Sequence, residues 1–377
     1  MSTFTAAAFE TNATAAFVMD QTTGTVLLNK NADLPLPPAS MSKLMTLYMA
    51  FEAVRRGKSQ GGLDLNEELL VSEHAQSYGG SSMFLQSGET VRVEDLLRGI
   101  IVLSGNDACV VIAEALSPDG TEYGFARLMT QRAQDMGMAN STFANSSGWP
   151  QTGHLMSMRD LAVLADRLIV DFPEYYPLFA ETEFPFDNRV PSNRLNRNPL
   201  LSMGIGADGL KTGHTEEAGY GLVGSAIQGD RRIIFVITGL ESSAARAQES
   251  QAVVNWAFRQ FAMREVGKEG QQFAQANVWM GDAPTVGLVA PEDLNILLPA
   301  LANSEIQAEV VYTGPIEAPI AQGDALAELV FTPEGLPEVR LPLVADKDIP
   351  SGGIISRLTT AAQLLFTQYI KGTEEPT

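Results

Sequence analysis

Apolar and polar positions change period several times along the chain, and each change marks an element. Phe17-Val18-Met19 and Thr25-Val26-Leu27-Leu28 flank the polar stretch Asp20-Gln21-Thr22-Thr23-Gly24, which predicts a β-hairpin over residues 17–29. Pro35, Pro37 and Pro38 then break regular structure. From Ser40 onward Met41, Leu44, Met45, Tyr48, Phe51 and Glu52 keep helical spacing until Gly57 stops it. Ser40 therefore sits at a helix start.

Residues 93–116 read as two apolar helical stretches separated by Ser104-Gly105-Asn106-Asp107, a turn whose Asn and Asp also suit the cap of the second helix. Helices are expected over 156–169 and 243–263. Strands are expected over 221–226 and 231–238, joined at Gln228-Gly229-Asp230, and residues 208–223 read as a strand pair turning at Glu216-Glu217-Ala218-Gly219. After Arg264 the pattern changes to Gly267, Gly270 and short β-type runs such as 308–312 and 327–331. The expected domains are 1–266, mixed α and β, and 267–349, small and all-β. A tail follows at 350–377, where Ile354, Leu358, Ala361, Leu365 and Tyr369 form one stripe of an amphipathic helix.

Composition narrows the functional classes. The 377 residues suit two domains, and an apolar fraction of 45% with 19% charged residues is ordinary for a folded protein. The formal net charge of -20 argues against nucleic acid as a partner, because phosphate binding relies on clustered Lys and Arg. One cysteine, Cys109, excludes an internal disulfide and a multi-cysteine zinc site. Three scattered histidines, among them His74 and His154, lack metal-ligand spacing, so no metal or cofactor is expected and neither histidine is read as catalytic. No run of about 18 apolar residues suggests a membrane-spanning helix. Residues 1–10 carry no basic residue and no long apolar run, so they do not read as a secretory signal. On this ground alone the protein is either cytosolic or read without its leader.

Three short motifs carry candidate chemistry. In Ser40-Met41-Ser42-Lys43 a hydroxyl and an amine lie one helical turn apart, and an amine among apolar neighbours favours its neutral, basic form. This spacing recurs by chance, and taken alone a capped helix with a surface lysine is the better reading of it. Ser104-Gly105-Asn106 presents a hydroxyl and an amide from a tight turn, though a helix cap accounts for them too. Lys211-Thr212-Gly213-His214 offers carboxylate-binding groups beside a glycine that lets a backbone approach the strand. A phosphate-binding loop is excluded there, since Leu210 stands where that motif needs glycine.

Together the three match the signature of penicillin-binding proteins and class A β-lactamases. The words around them, 38–46, 104–109 and 208–215, with Gly80-Ser81-Ser82-Met83-Phe84-Leu85 and Asn145-Ser146-Ser147-Gly148, resemble the low-molecular-mass penicillin-binding proteins that are serine D-alanyl-D-alanine carboxypeptidases. The resemblance is strong over about residues 15–265 and extends by layout to the rest. It implies an α/β (α+β) transpeptidase/β-lactamase-like fold, with an antiparallel sheet flanked by helices and a helical subdomain, then a small all-β domain and a C-terminal amphipathic helix.

By that similarity Ser40 is acylated, Lys43 is the base, Ser104 relays protons and Asn106 holds the peptide. Lys211 and Thr212 hold a terminal carboxylate, with Gly213 beside it, and the backbone N–H groups of Ser40 and His214 form the oxyanion hole. Arg246 matches a carboxylate-binding arginine, with Arg197 a weaker candidate; an exposed helix arginine explains Arg246 equally well. Cys109, one turn after Asn106, is expected to pack behind the site as a small hydrophobe.

The implied partners are peptidoglycan peptides ending in D-Ala-D-Ala, and β-lactam antibiotics as inhibitors. That substrate lies outside the cytoplasmic membrane. The resemblance therefore implies a periplasmic or extracytoplasmic protein whose signal peptide is absent from this sequence. It further implies peripheral contact with the inner membrane through the tail helix, the alternative being a helix docked on the β domain. A β-lactamase would add a water-activating glutamate between the second and third motifs, and residues 145–159 contain none, which favours slow release of penicillin. An esterase of the same fold and an idle peptide-binding module remain as alternatives, the latter disfavoured by the intact Ser40, Lys43, Ser104 and Lys211.

Overall fold

The computed structural model describes residues 9–300, 308–333 and 335–353. The chain divides into two compact units, Ala8–Arg259 and a second from Gln260 onward. In the first, β1 (Ala15–Asp20) and β2 (Val26–Lys30) form the expected hairpin, with β1 also pairing antiparallel to a later strand, β7. The small strands β3 (Glu68–Leu70) and β4 (Thr90–Arg92) pair with each other in the helical region. The main sheet is completed by β5 (Ala207–Thr215), β6 (Gly219–Gln228) and β7 (Arg231–Leu240), in the order β2-β1-β7-β6-β5, antiparallel throughout.

Both faces of this sheet are buried, and strand alternation divides its side chains between two cores. Ala15, Phe17, Ile234 and Val236 join one, while Ala16, Val18, Ile233, Phe235 and Ile237 join the other. The first core contains α1 (Lys43–Arg56), α4 (Asn106–Leu116), α5 (Glu122–Asp135) and α6 (Met158–Asp171), with the shorter α2 (Glu73–Ser77) and α3 (Val93–Arg98). The second is closed by α7 (Ser243–Gln260) through Val253, Val254 and Ala257.

Helix α1 runs through the middle of the first core, which is why Leu44, Met45, Leu47 and Tyr48 are all buried although they point to different sides. Truncating Leu44 or Met45 to alanine would cost about 2–5 kcal/mol. The helix ends where the sequence places its stop, at Gly57 with φ 74°, a conformation other residues rarely adopt.

The helix expected over 243–263 stops at Gln260. Phe261 to Gly267 form β8, paired with β11 (Leu294–Pro299), so the chain enters its second unit at 260 and not at 267. Pairing with a strand that begins only at Leu294 is a tertiary fact that helical spacing cannot register. The second unit has a six-stranded sheet in the order β12-β14-β15-β10-β9-β13. Its strands are β9 (Gln272–Trp279), β10 (Thr285–Val289), β12 (Ala308–Val311), β13 (Ile316–Glu317), β14 (Ala325–Phe331) and β15 (Val339–Ala345). Its own core includes Leu288, Ile296, Leu329, Phe331 and Leu343. The amphipathic helix expected over 350–377 lies outside the described residues, apart from 350–353.

Candidate active site

Ser40 lies in a single 3-10 turn, Ala39–Ser42, which runs directly into α1, so that Lys43 becomes the first residue of that helix. Ala39 has φ 48°, a left-handed conformation uncommon for alanine and held here by its surroundings. The result is the one-turn stacking that the motif spacing implies: Lys43 Nζ lies 2.8 Å from Ser40 Oγ. Lys43 is fully buried, and its other bond is to the carbonyl oxygen of Ser147 at 2.6 Å. Neither partner is a carboxylate. Burial, helped by the nearby Arg197 cation, lowers its pKa from 10.5 to about 8 against the opposing influences of Cys109, Asp107 and Glu122.

The second motif sits at an irregular corner. Helix α3 widens into a π-turn over Gly99–Leu103, and Ser104 then takes φ 61°, which turns the chain before α4. Met83 packs directly on Gly99, where a β-carbon would fall 2.0 Å from its Sδ. Asn106 is buried, donating its backbone N–H to Ser81 O at 2.8 Å and its side-chain Nδ2 to Gly79 O at 2.7 Å. The Asp107 carboxylate secures the same loop, accepting from Ser82 Oγ at 2.6 Å and from the N–H groups of Met83 and Leu85 at 2.9 and 3.1 Å.

The third motif lies on β5, the edge strand of the main sheet, which therefore presents every second backbone N–H and C=O away from β6. Lys211 is buried, and its Nζ donates to Ser104 Oγ at 3.0 Å, joining the second motif to the third. Burial holds its pKa well below the ordinary lysine value, and the cations Lys43, Arg197 and Arg246 push it further down. Thr212 is buried, and its carbonyl accepts from Lys211 Nζ at 3.2 Å. Gly213 is needed for a reason the sequence does not reveal: a β-carbon would lie 2.9 Å from Pro38 O and 3.0 Å from Met41 Cγ. Its bare face seats the turn that carries Ser40. His214 is exposed, its ring stacked on Tyr220 at 3.8 Å.

Arg246 is buried on α7, not exposed. Its guanidinium lies 5.7 Å from the Tyr220 ring centroid, and Nη2 donates to Arg197 O at 3.3 Å. Arg197 lies at the surface, donating to Ser81 Oγ at 2.6 Å and Leu103 O at 3.2 Å. Four basic side chains, Lys43, Lys211, Arg197 and Arg246, thus gather near one another in a protein whose net charge is -20, and positive charge on them makes a local field suited to a carboxylate.

Cys109 is fully buried on α4, and burial pushes its thiol up to about 12, opposed by Lys43 and, more weakly, Lys211. His154 is also buried. Its Nδ1 accepts the Ala144 N–H at 3.2 Å, and burial lowers its pKa to about 4, so it is a neutral core residue. Sequence reasoning assigned no role to Ser147, whose carbonyl receives Lys43, or to Asn145, whose Oδ1 accepts from the N–H groups of Ser147, Gly148 and Trp149 at 3.1, 2.8 and 3.2 Å. The phrase Asn145-Ser146-Ser147-Gly148 was the available signal. Tyr220 and Glu122 carry no local signal.

Comparison with known proteins places the whole chain in a family. The family model Peptidase S11, described as D-alanyl-D-alanine carboxypeptidase, matches residues 2–242, and that of the penicillin-binding protein 5 C-terminal domain matches residues 261–351. D-alanyl-D-alanine carboxypeptidase DacC of Escherichia coli (strain K12) is 35% identical over 367 residues, 95% of this chain and 89% of that protein. DacA of the same organism is 33% identical over 353 residues, covering 93% and 86%. Penicillin binding protein 5 from Haemophilus influenzae superposes with a TM-score of 0.78 at 32% identity, over 91% of this chain and 99% of that one. With a family model spanning more than half its length and relatives of this identity over nearly all of it, the chain belongs to the Peptidase S11 family of D-alanyl-D-alanine carboxypeptidases.

Proposed function

We propose that this protein is a serine carboxypeptidase that removes the terminal D-alanine from peptidoglycan peptides ending in D-Ala-D-Ala, and that β-lactams acylate the same serine. The observation that carries the reading is the pair Ser40 Oγ and Lys43 Nζ, 2.8 Å apart, with Lys43 buried and unpaired with any carboxylate. In its neutral form Lys43 donates one N–H to Ser147 O and accepts the Ser40 hydroxyl proton on its lone pair. Ser40 Oγ then attacks the carbonyl of the penultimate residue. The backbone N–H groups of Ser40 and His214 receive the developing oxyanion. Collapse breaks the C–N bond, and the proton that Lys43 took from Ser40 passes through Ser104, hydrogen-bonded to Lys211 at 3.0 Å, to the departing amine, leaving Lys43 neutral again. Water then attacks the resulting ester, giving a proton to the neutral Lys43; the bond from the acyl carbon to Ser40 Oγ breaks, and Lys43 passes that proton to Oγ, restoring the Ser40 hydroxyl. Asn106 holds the peptide, while Lys211, Thr212 and Arg246 bind the terminal carboxylate, Gly213 lies alongside, and Arg197 braces the rim.

The geometry supports slow rather than rapid release of penicillin. Glu122 lies between the second and third motifs, but its carboxylate already meets Ser146 N–H, Ser146 Oγ, Tyr78 OH and His74 Nε2, leaving no acceptor site for a hydrolytic water. We place the protein outside the cytoplasmic membrane, where its peptide substrate lies, with the segment after residue 350 in peripheral contact with the membrane. Co-sedimentation with vesicles, compared between the full chain and one ending at Pro350, tests that contact. The catalytic reading is tested by labelling with a fluorescent penicillin, locating the adduct by mass spectrometry, and assaying D-alanine release. An adduct on Ser40 with D-alanine release is expected; labelling that persists in Ser40→Ala overturns it.

A further inference from the structure

Lys43 and Asn106 are each held by a carbonyl from a different loop: Ser147 O receives Lys43 Nζ at 2.6 Å, and Gly79 O receives Asn106 Nδ2 at 2.7 Å. Both loops end on one carboxylate. Glu122 is buried in the first turn of α5, directly after the cap residue Thr121. Its Oε1 accepts from Ser146 N–H at 2.9 Å and Ser146 Oγ at 2.6 Å, one residue before the carbonyl that holds Lys43. Its Oε2 accepts from Tyr78 OH at 2.8 Å, one residue before the carbonyl that holds Asn106, and lies 3.0 Å from His74 Nε2. Thr46, one turn along α1 from Lys43, adds a 2.6 Å bond to Ser146 O.

From this convergence we propose that Glu122 is a positioning residue for the reaction, fixing the two carbonyls that orient Lys43 and Asn106. The proposal rests on the carboxypeptidase reading above. A carboxylate that merely satisfied the start of α5 would meet donors from its own helix turn, whereas all four donors here come from two distant segments. Burial and four bonds make it rigid, and rigidity in the supporting residues is what holds a reacting pair in register.

The charge on Glu122 supplies a readout that a purely structural role would not move. Facing Lys43 are Asp107 and Cys109 of α4, Lys211 of β5, His154, Arg197, and Glu122 itself, and the Glu122 charge raises the Lys43 pKa. Facing Glu122 are His74 and Tyr78 in direct contact, with Lys43, Cys109 and His154 farther off. Glu122→Gln is isosteric and keeps an acceptor for Ser146, but removes the charge. In the full chain it is expected to lower kcat/KM for D-alanine release about tenfold and to move the acidic limb of the acylation profile to lower pH. A variant that melts earlier yet keeps wild-type kcat/KM and an unmoved limb would overturn the proposal. Ser146→Ala and Tyr78→Phe decide the matter if Glu122→Gln does not fold. The first is expected to lower kcat through the Lys43 branch and the second to raise KM through the Asn106 branch; two folded variants with wild-type kcat and KM overturn it equally. Failure of the carboxypeptidase reading is distinguishable, because it appears in the wild-type protein as absence of D-alanine release.

Discussion

Gly148 faces the carbonyl oxygen of Ala39 so closely that a β-carbon would lie 1.9 Å from that oxygen and 2.7 Å from Ser42 Oγ. With φ +79° the position also disfavours any side chain. The contact joins the loop that holds Lys43 to the turn that carries Ser40. Gly148→Ala must therefore displace one from the other. A strain of about 1–3 kcal/mol is expected in thermal melts, and a larger effect, about a hundredfold, on the rate of acylation by a fluorescent penicillin. Melting and acylation that both match wild type would mean that the loop is free to move aside.

The depressed pKa of Lys43 gives a pH dependence of definite sign. In the proposed mechanism the neutral amine is the active form, so acylation should rise as pH increases through about 8 and fall away below it. Stability should respond in the same direction. Folded Lys43 binds fewer protons than its unfolded counterpart between about 8 and 10.5, so its linkage contribution makes the protein more stable as pH rises through that window, and Lys211 adds the same sign. Stopped-flow acylation across the range checks the first point. An acidic limb unchanged in a Lys43→Arg variant that still acylates would assign the titration to another group.

Cys109 is expected to be inert in the folded protein. A thiol without solvent exposure, with its pKa pushed up to about 12, offers almost no thiolate to an alkylating reagent at neutral pH. Iodoacetamide should leave both mass and activity unchanged until denaturant is added. Modification at native conditions with loss of activity would show that the packing behind the site opens.

What the sequence disclosed and what it hid divide along physical lines. Ser40 with Lys43 was legible because both lie within one helical turn, and the Lys-Thr-Gly strand because it stands between turn residues. The reason for Gly213 was not legible, since its neighbours Pro38 and Met41 are remote in sequence and only the packed turn brings them to 2.9 and 3.0 Å. Glu122 was hidden for the same reason: its partners Ser146 and Tyr78 lie on either side of it, 24 and 44 residues away. The first three residues of β8 read as a helix end because Phe261 continues the apolar spacing of α7, while its partner β11 begins only at Leu294.

Arg246 and Arg197 share the rim of the site but should separate by substrate. Arg246 lies against the Tyr220 ring, which in turn stacks with His214 at the end of the Lys-Thr-Gly strand, so its charge sits where the proposed mechanism binds the terminal carboxylate. Arg197 directs its donors into the protein, to Ser81 Oγ and Leu103 O, and so braces the loops around Asn106 and Ser104. Arg246→Gln should raise KM for a peptide with a free C-terminal carboxylate by the loss of a charge-assisted bond, about 1.5–3 kcal/mol, and leave hydrolysis of the matching C-terminal amide nearly unchanged. Arg197→Gln should slow both substrates alike, because a loosened loop serves neither. Steady-state kinetics on the acid and amide pair checks both variants. Equal losses on the two substrates in Arg246→Gln would assign that residue instead to holding the segment at 197 through the bond from its Nη2 to Arg197 O.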